Sequence, residues 1–133
     1  MPFEHRALDI EGDMPAVYTA FSKKLFYARE IISAYVIEQG YLPLNPFMNF
    51  AYYLSDRTDR DLVRKANNSL VKIAEQLWVF GPVADGVLAE IKLAKEKGKP
   101  IRYFDVVKDK EILEVTVDEV DFEEGLDKYR DLL

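Results

Sequence analysis

The segment Val79–Pro100, VFGPVADGVLAEIKLAKEKGKP, decides the fold. Its first residues close an apolar run, Leu77–Phe80 (LWVF), of the kind expected for a strand buried on both faces. Gly81-Pro82 is a turn pair, because proline has no N–H to give to a ladder. A helix follows from about Val87 to Lys97, with Asp85 or Gly86 as its N-cap, Gly98 placed to end it and Pro100 to stop it. At about 100° per residue, Val87, Ile91 and Ala94 share one face with Leu93 on its flank, and Lys92, Lys95 and Glu96 lie opposite. Glu90 breaks this pattern by falling on the apolar side. A capping box would need it three residues after the cap, and those positions hold Leu88 or Ala89. The helix dipole would make it tolerable there, and a buried arginine partner would explain it structurally. A functional carboxylate is the competing explanation.

Outward from this unit, strands and helices alternate. Pro15–Ser22 (PAVYTAFS) reads as the first strand and Lys23–Gln39 as a helix ended by Gly40. YLPL is a short second strand broken by Pro43, and Asn45–Leu54 an aromatic-rich loop and helix. The next helix has Thr58 or Asp59 as N-cap and Leu62, Ala66, Leu70 and Ile73 inward. Ile101–Val107 (IRYFDVV) is another strand, EILEVTV a fifth, and the C-terminal DFEEGLDKYRDLL a short helix. The fold class is therefore α/β: a small doubly wound, mainly parallel sheet, flavodoxin- or Rossmann-like, of about four to five strands flanked by helices. All 133 residues form one domain.

Composition narrows the function. About half the residues are apolar (49%) and about a third charged (32%), as in globular proteins. With no cysteine, disulfides, zinc thiolates and thiol nucleophiles are excluded. A net charge of −6 disfavours nucleic acid as a partner. The N-terminus lacks the apolar core of a signal peptide, and no apolar run approaches the about 18 residues of a membrane span. The expectation is a cytoplasmic protein without a membrane partner. No His/carboxylate cluster has metal-ligand spacing, and no phosphate-cradling glycine motif occurs, so neither metal nor cofactor is expected.

In a doubly wound sheet, ligands bind beyond the carboxyl ends of the strands. Those ends fall after Phe21, Leu44 and Phe80, so Glu90 points toward the expected crevice together with Asp85 and Gly86. Asn45 and Phe47 follow the second strand, and Phe47, Phe50, Tyr52 and Tyr53 are either stacking surfaces for a flat ligand or core aromatics. Arg57, Arg60 and Arg64 either grip a phosphate or pair with Asp56, Asp59 and Asp61, the pairing being the stronger reading. His5, the single histidine, lies in the terminal segment and is not a catalytic candidate.

Residues 40–104 resemble the nucleoside 2-deoxyribosyltransferase family and its nucleotide N-hydrolase relatives. The resemblance is carried by Asn67-Asn68, LWVFGPVADG, GVLAEIKLA and GKPIRYF, with Gly86 four residues before Glu90. It implies that Glu90 is a nucleophile attacking the sugar of a nucleoside or nucleotide. The position of the family's proton-donating aspartate is Asn68, which can hold a base by hydrogen bonds. Ala84 stands where the family has Asp or Ser on the sugar side, with Asp85 next to it. Tyr18 matches a tyrosine beside the nucleophile and Ser22 a serine on the phosphate side. The resemblance further implies a homodimer or larger homo-oligomer. The alternative is a non-catalytic nucleotide-binding or sensing module on the same fold.

Overall fold

The computed structural model describes residues 1–107 and 111–133. Five strands form one sheet: β1 (Ala16–Phe21), β2 (Leu42–Leu44), β3 (Gln76–Phe80), β4 (Ile101–Val107) and β5 (Glu111–Val115). Their order is β2-β1-β3-β4-β5. β2, β1, β3 and β4 run parallel, and β5 returns antiparallel to β4 with Tyr103 opposite Val115. This is the doubly wound, mainly parallel α/β sheet expected, with an antiparallel strand at one edge. At the other edge, Pro43 sits in the middle of β2 opposite Val17.

The two sheet faces are covered separately because side chains alternate along each strand. Val17 and Phe21 of β1 and Trp78 and Phe80 of β3 pack with Ile32 and Val36 of α1 (Arg29–Glu38). Tyr18 and Ala20, with Leu77 and Val79, pack instead with Val71 of α3 (Arg60–Ile73) and with Val87, Leu88, Ile91 and Ala94 of α4 (Asp85–Glu96). The α1 face is aromatic: Phe104 lies 4.9 Å from both Trp78 and Phe80, ring centre to ring centre. A short helix, α2 (Pro46–Asn49), follows β2.

Several boundaries differ from the sequence reading, each for a local reason. The Lys23–Gln39 segment opens as 3-10 turns over Lys23–Ala28, capped by Ser22, before α1 begins. The terminal helix is likewise 3-10, over Asp127–Leu132. α4 begins earlier than expected: Ala84 is its N-cap, and Asp85 uses its carboxylate to accept the N–H of Gly86. In α3, Asp59 is the cap, but Leu62 and Ile73 are exposed (58% and 65%) and Val63 and Val71 are buried instead. The inward stripe runs Val63, Asn67, Leu70, Val71, and the polar residue inside it disguised its phase.

Gly81 makes the turn out of β3 possible. Its φ is +72°, and a Cβ there would stand 2.5 Å from Leu25 Cδ1. Only a residue without a side chain meets both conditions at low cost. The turn leads directly into α4 and so places Glu90.

Candidate active site

The chain runs from β1 outward to β2 and then crosses back to β3 on the other side of β1. The strand order therefore reverses between β1 and β3, the place where open α/β sheets bind ligands. A cleft of about 560 Å³ lies there, bordered by Ser22 after β1, Phe47 and Tyr52 after β2, Arg64 and Asn67 of α3, and Glu90 of α4.

At the cleft floor, three side chains from three elements meet. Tyr18, fully buried in β1, sends its hydroxyl to Glu90 Oε2 and to Asn67 Oδ1, the latter at 2.9 Å. Asn67 Nδ2 donates to the same Glu90 oxygen at 2.9 Å. Two donors thus converge on Oε2. Glu90 Oε1 receives no hydrogen bond among the described residues, yet no buried side-chain oxygen or nitrogen there lacks a partner. Oε1 is therefore the oxygen left open to the cleft.

Burial pushes the Glu90 carboxyl up to about 7, and the bonds from Tyr18 and Asn67 pull only part of the way back. Burial and the neighbouring carboxylate also raise the Tyr18 phenol well above its ordinary value, so it stays protonated. Burial is what favours the neutral acid, and proton counting shows that the three side chains can accommodate either form. The Tyr18 hydroxyl has one proton and faces two acceptors. When Glu90 is ionised, one of those contacts is left without a proton. When Glu90 is protonated, the ring closes: the carboxyl donates to Tyr18, Tyr18 to Asn67, and Asn67 to Glu90. The helix dipole does not outweigh burial, and the carboxyl is poised near neutrality. No arginine pairs with it among the described residues, which removes the structural ion-pair explanation.

The other sequence-derived candidates divide. Ser22, Phe47, Asn68, Asp85 and Gly86 all line the cleft. Asn68 is exposed, and its neighbour Asn67 makes the bond to Glu90. Phe47 packs on Phe21 at 5.0 Å and edge-on to Phe26 at 5.5 Å, so part of its ring is already used within the protein. Asn45 does not reach the cleft. It is 2% exposed, caps α2 by accepting the Phe47 N–H, and donates to the Arg29 carbonyl and Ser33 hydroxyl. Arg60 and Arg64 form the pairs with Asp56 and Asp61, each at 2.8 Å. Arg60 also lies 4.4 Å from the Tyr53 ring and Arg64 5.2 Å, so the cleft rim is a cation–aromatic layer.

That rim has an unusual backbone. Tyr53, Leu54, Ser55 and Asp56 all have positive φ, between +51° and +58°, and Ala51 has φ +48°. A left-handed turn of four non-glycine residues costs about 1–2 kcal/mol per residue. The Arg60–Asp56 pair and the rings beneath it hold the turn in place.

Residues 17–104 match the family model described as "Domain of unknown function (DUF7768)". The chain belongs to this family. No curated protein matches it. Among solved structures, a 2-desoxiribosyltransferase from Leishmania mexicana is similar in fold, with a TM-score of 0.52 and 16% identity over 70% of this chain and 65% of that one. The chain thus spans less than two thirds of that protein's length. The DUF7768 match takes in Tyr18, Ser22, Asn67 and Glu90. One cleft residue lies outside it and escaped the sequence reading: Glu123, whose carboxylate accepts the Ser22 hydroxyl at 2.6 Å. Nothing local in DFEEGL marks this residue, because a non-local strand bridge brings it to the cleft.

Among the described residues no group of acids and histidines is placed to hold a metal ion, and no helix is long and apolar enough to cross a membrane.

Proposed function

We propose that this cleft binds a nucleoside or nucleotide and that Glu90 is the nucleophile in cleaving or transferring its N-glycosidic bond. The observation that carries the reading is the posture of Glu90: Oε2 is held by Tyr18 and Asn67, and Oε1 faces the cleft at the point of strand-order reversal. In the first step the bond from C1′ to the base nitrogen breaks, its electron pair leaving with the base, and Oε1 bonds to C1′. The departing base takes a proton from solvent, with Asn68 and Asp85 at the cleft wall to hold it and the sugar. Water or a second base then takes the sugar and frees the carboxylate. Only ionised Glu90 attacks, so with a carboxyl near 7 about half the molecules are competent at neutral pH. The reading carries with it a homodimer or larger assembly, which light scattering at micromolar concentration checks.

The test is incubation with a panel of nucleosides and nucleotides, read by mass spectrometry for free base and for a sugar adduct on Glu90. Base release lost in Glu90→Gln is the expected result; unchanged release in that variant refutes the assignment. The second reading is a binding or sensing module. It is favoured by the closed three-bond ring around neutral Glu90 and by an amide, Asn68, where the resemblance has an acid. Thermal stabilisation by a nucleoside without base release decides for it.

A further inference from the structure

Glu123 reaches the cleft on a segment that is bound to the body of the protein along its length. Val83, just before α4, pairs with Phe122 in a parallel bridge. Its N–H donates to the Asp121 carbonyl at 2.9 Å, and the Glu123 N–H donates to the Val83 carbonyl at 3.0 Å. Val120 is buried, and Phe122 and Leu126 pack on the α4 side of the core. Arg130 donates to the Val120 carbonyl at 2.7 Å and lies 4.9 Å from the Phe122 ring. Glu123 is thus a fixed part of the wall.

What it touches gives it a role. Ser22 stands at the carboxyl end of β1 and is 4% exposed. Its hydroxyl accepts the Lys24 N–H at 3.2 Å and donates to Glu123 Oε2, and Lys24 Nζ lies 3.9 Å from that same oxygen. A buried hydroxyl at the switch point of the sheet, with the largely exposed Lys24 ammonium on its solvent side, makes a donor set suited to an anionic ligand group. Glu123 already fills it. A phosphate brought there would meet a second negative charge, whereas a hydroxyl could donate to the carboxylate.

We infer that Glu123 is a specificity-determining residue that rejects phosphorylated ligands and admits a hydroxyl at this end of the cleft. On the glycosidic reading above, from which this inference takes its ligand class, the substrate is an unphosphorylated nucleoside. The determinant lies outside residues 17–104, so other DUF7768 chains need not share it.

Two titrations of the full chain test this. In the first, inorganic phosphate is added while the amide resonances of Ser22 and Lys24 are followed. Wild type should show no saturable shift, and Glu123→Gln, which keeps the shape and removes the charge, should show one. Equal responses in the two proteins overturn the inference, whatever the cleft's natural ligand. In the second, the 2′-deoxynucleosides are compared with their 5′-monophosphates. Wild type should prefer the nucleosides, and Glu123→Gln should shift the affinity ratio toward the monophosphates by at least about tenfold. An unchanged ratio overturns the inference. If no member of either series binds, the nucleoside reading falls, and the phosphate titration alone decides the role of Glu123. Matching melting curves for the two proteins establish that both are folded.

Discussion

Asn67 donates its side-chain amide to Glu90 across the α3–α4 interface at 2.9 Å, although the next residue, Asn68, is the one exposed on the cleft wall. Two adjacent and chemically identical side chains therefore have different roles. Asn67→Ala removes a donor from Glu90 and one of the two acceptors that face the Tyr18 hydroxyl, and is expected to cost about 1–2 kcal/mol in stability. Asn68→Ala should stay within about 0.5 kcal/mol of wild type. Thermal melts of the two variants check this, and equal losses would contradict the assignment of the bond to Asn67.

The pH dependence of stability isolates Glu90. Its folded value of about 7 lies above the ordinary 4.5, so between those values the folded state binds more protons than the unfolded one. Stability contributed by this group is present at low pH and is lost as pH rises through 7. Glu90→Gln lacks the titration. Its stability relative to wild type should rise between pH 5 and pH 8 by up to about 3 kcal/mol, less for the edge open to the cleft. Urea melts at the two pH values measure this. A constant difference would mean that Glu90 titrates normally.

Tyr18→Phe should move the Glu90 titration upward, because it removes a bond that favours the ionised form. Carboxyl carbon shifts followed against pH read this directly. A downward shift would show that the hydroxyl serves the protonated acid instead.

The left-handed rim offers a stabilising substitution. Ser55 has φ +56° and ψ +36°, a conformation that glycine adopts without a Cβ penalty. Ser55→Gly is expected to raise stability by about 1 kcal/mol and with it the melting temperature. Gly81→Ala should do the reverse by about 1–3 kcal/mol, since it combines a positive φ with a Cβ against Leu25. A neutral outcome at either site would show that the backbone there relaxes.

The fold was legible where pattern and punctuation agreed. Between Val79 and Pro100 an apolar run, a Gly-Pro turn, an apolar stripe and a Gly-Lys-Pro stop all indicate the same unit. Glu90 was visible because it interrupts that stripe. Asn67 interrupts the stripe of α3 in the same way, but Leu62 and Ile73 suggested a neighbouring phase, and one residue turns a helix by about 100°. The left-handed turn left no trace because residues 53–56 contain none of the glycines that normally announce it. Asn45 looked like a ligand contact by its place after a strand, and only the positions of Arg29 and Ser33 reveal it as a cap with its donors spent.

β2 has a consequence for how copies of the molecule can meet. The Leu42 N–H points inward, donating to the Pro15 carbonyl at 2.9 Å. Backbone groups alternate along a strand, so the next N–H, at Pro43, would face outward, and proline has none. The Tyr41 N–H is already given to the Val36 carbonyl. From residue 41 to residue 43 this margin of the sheet has no donor to offer an incoming strand. Self-templated growth into a continuous ribbon is blocked there, a protection against aggregation built from one ring.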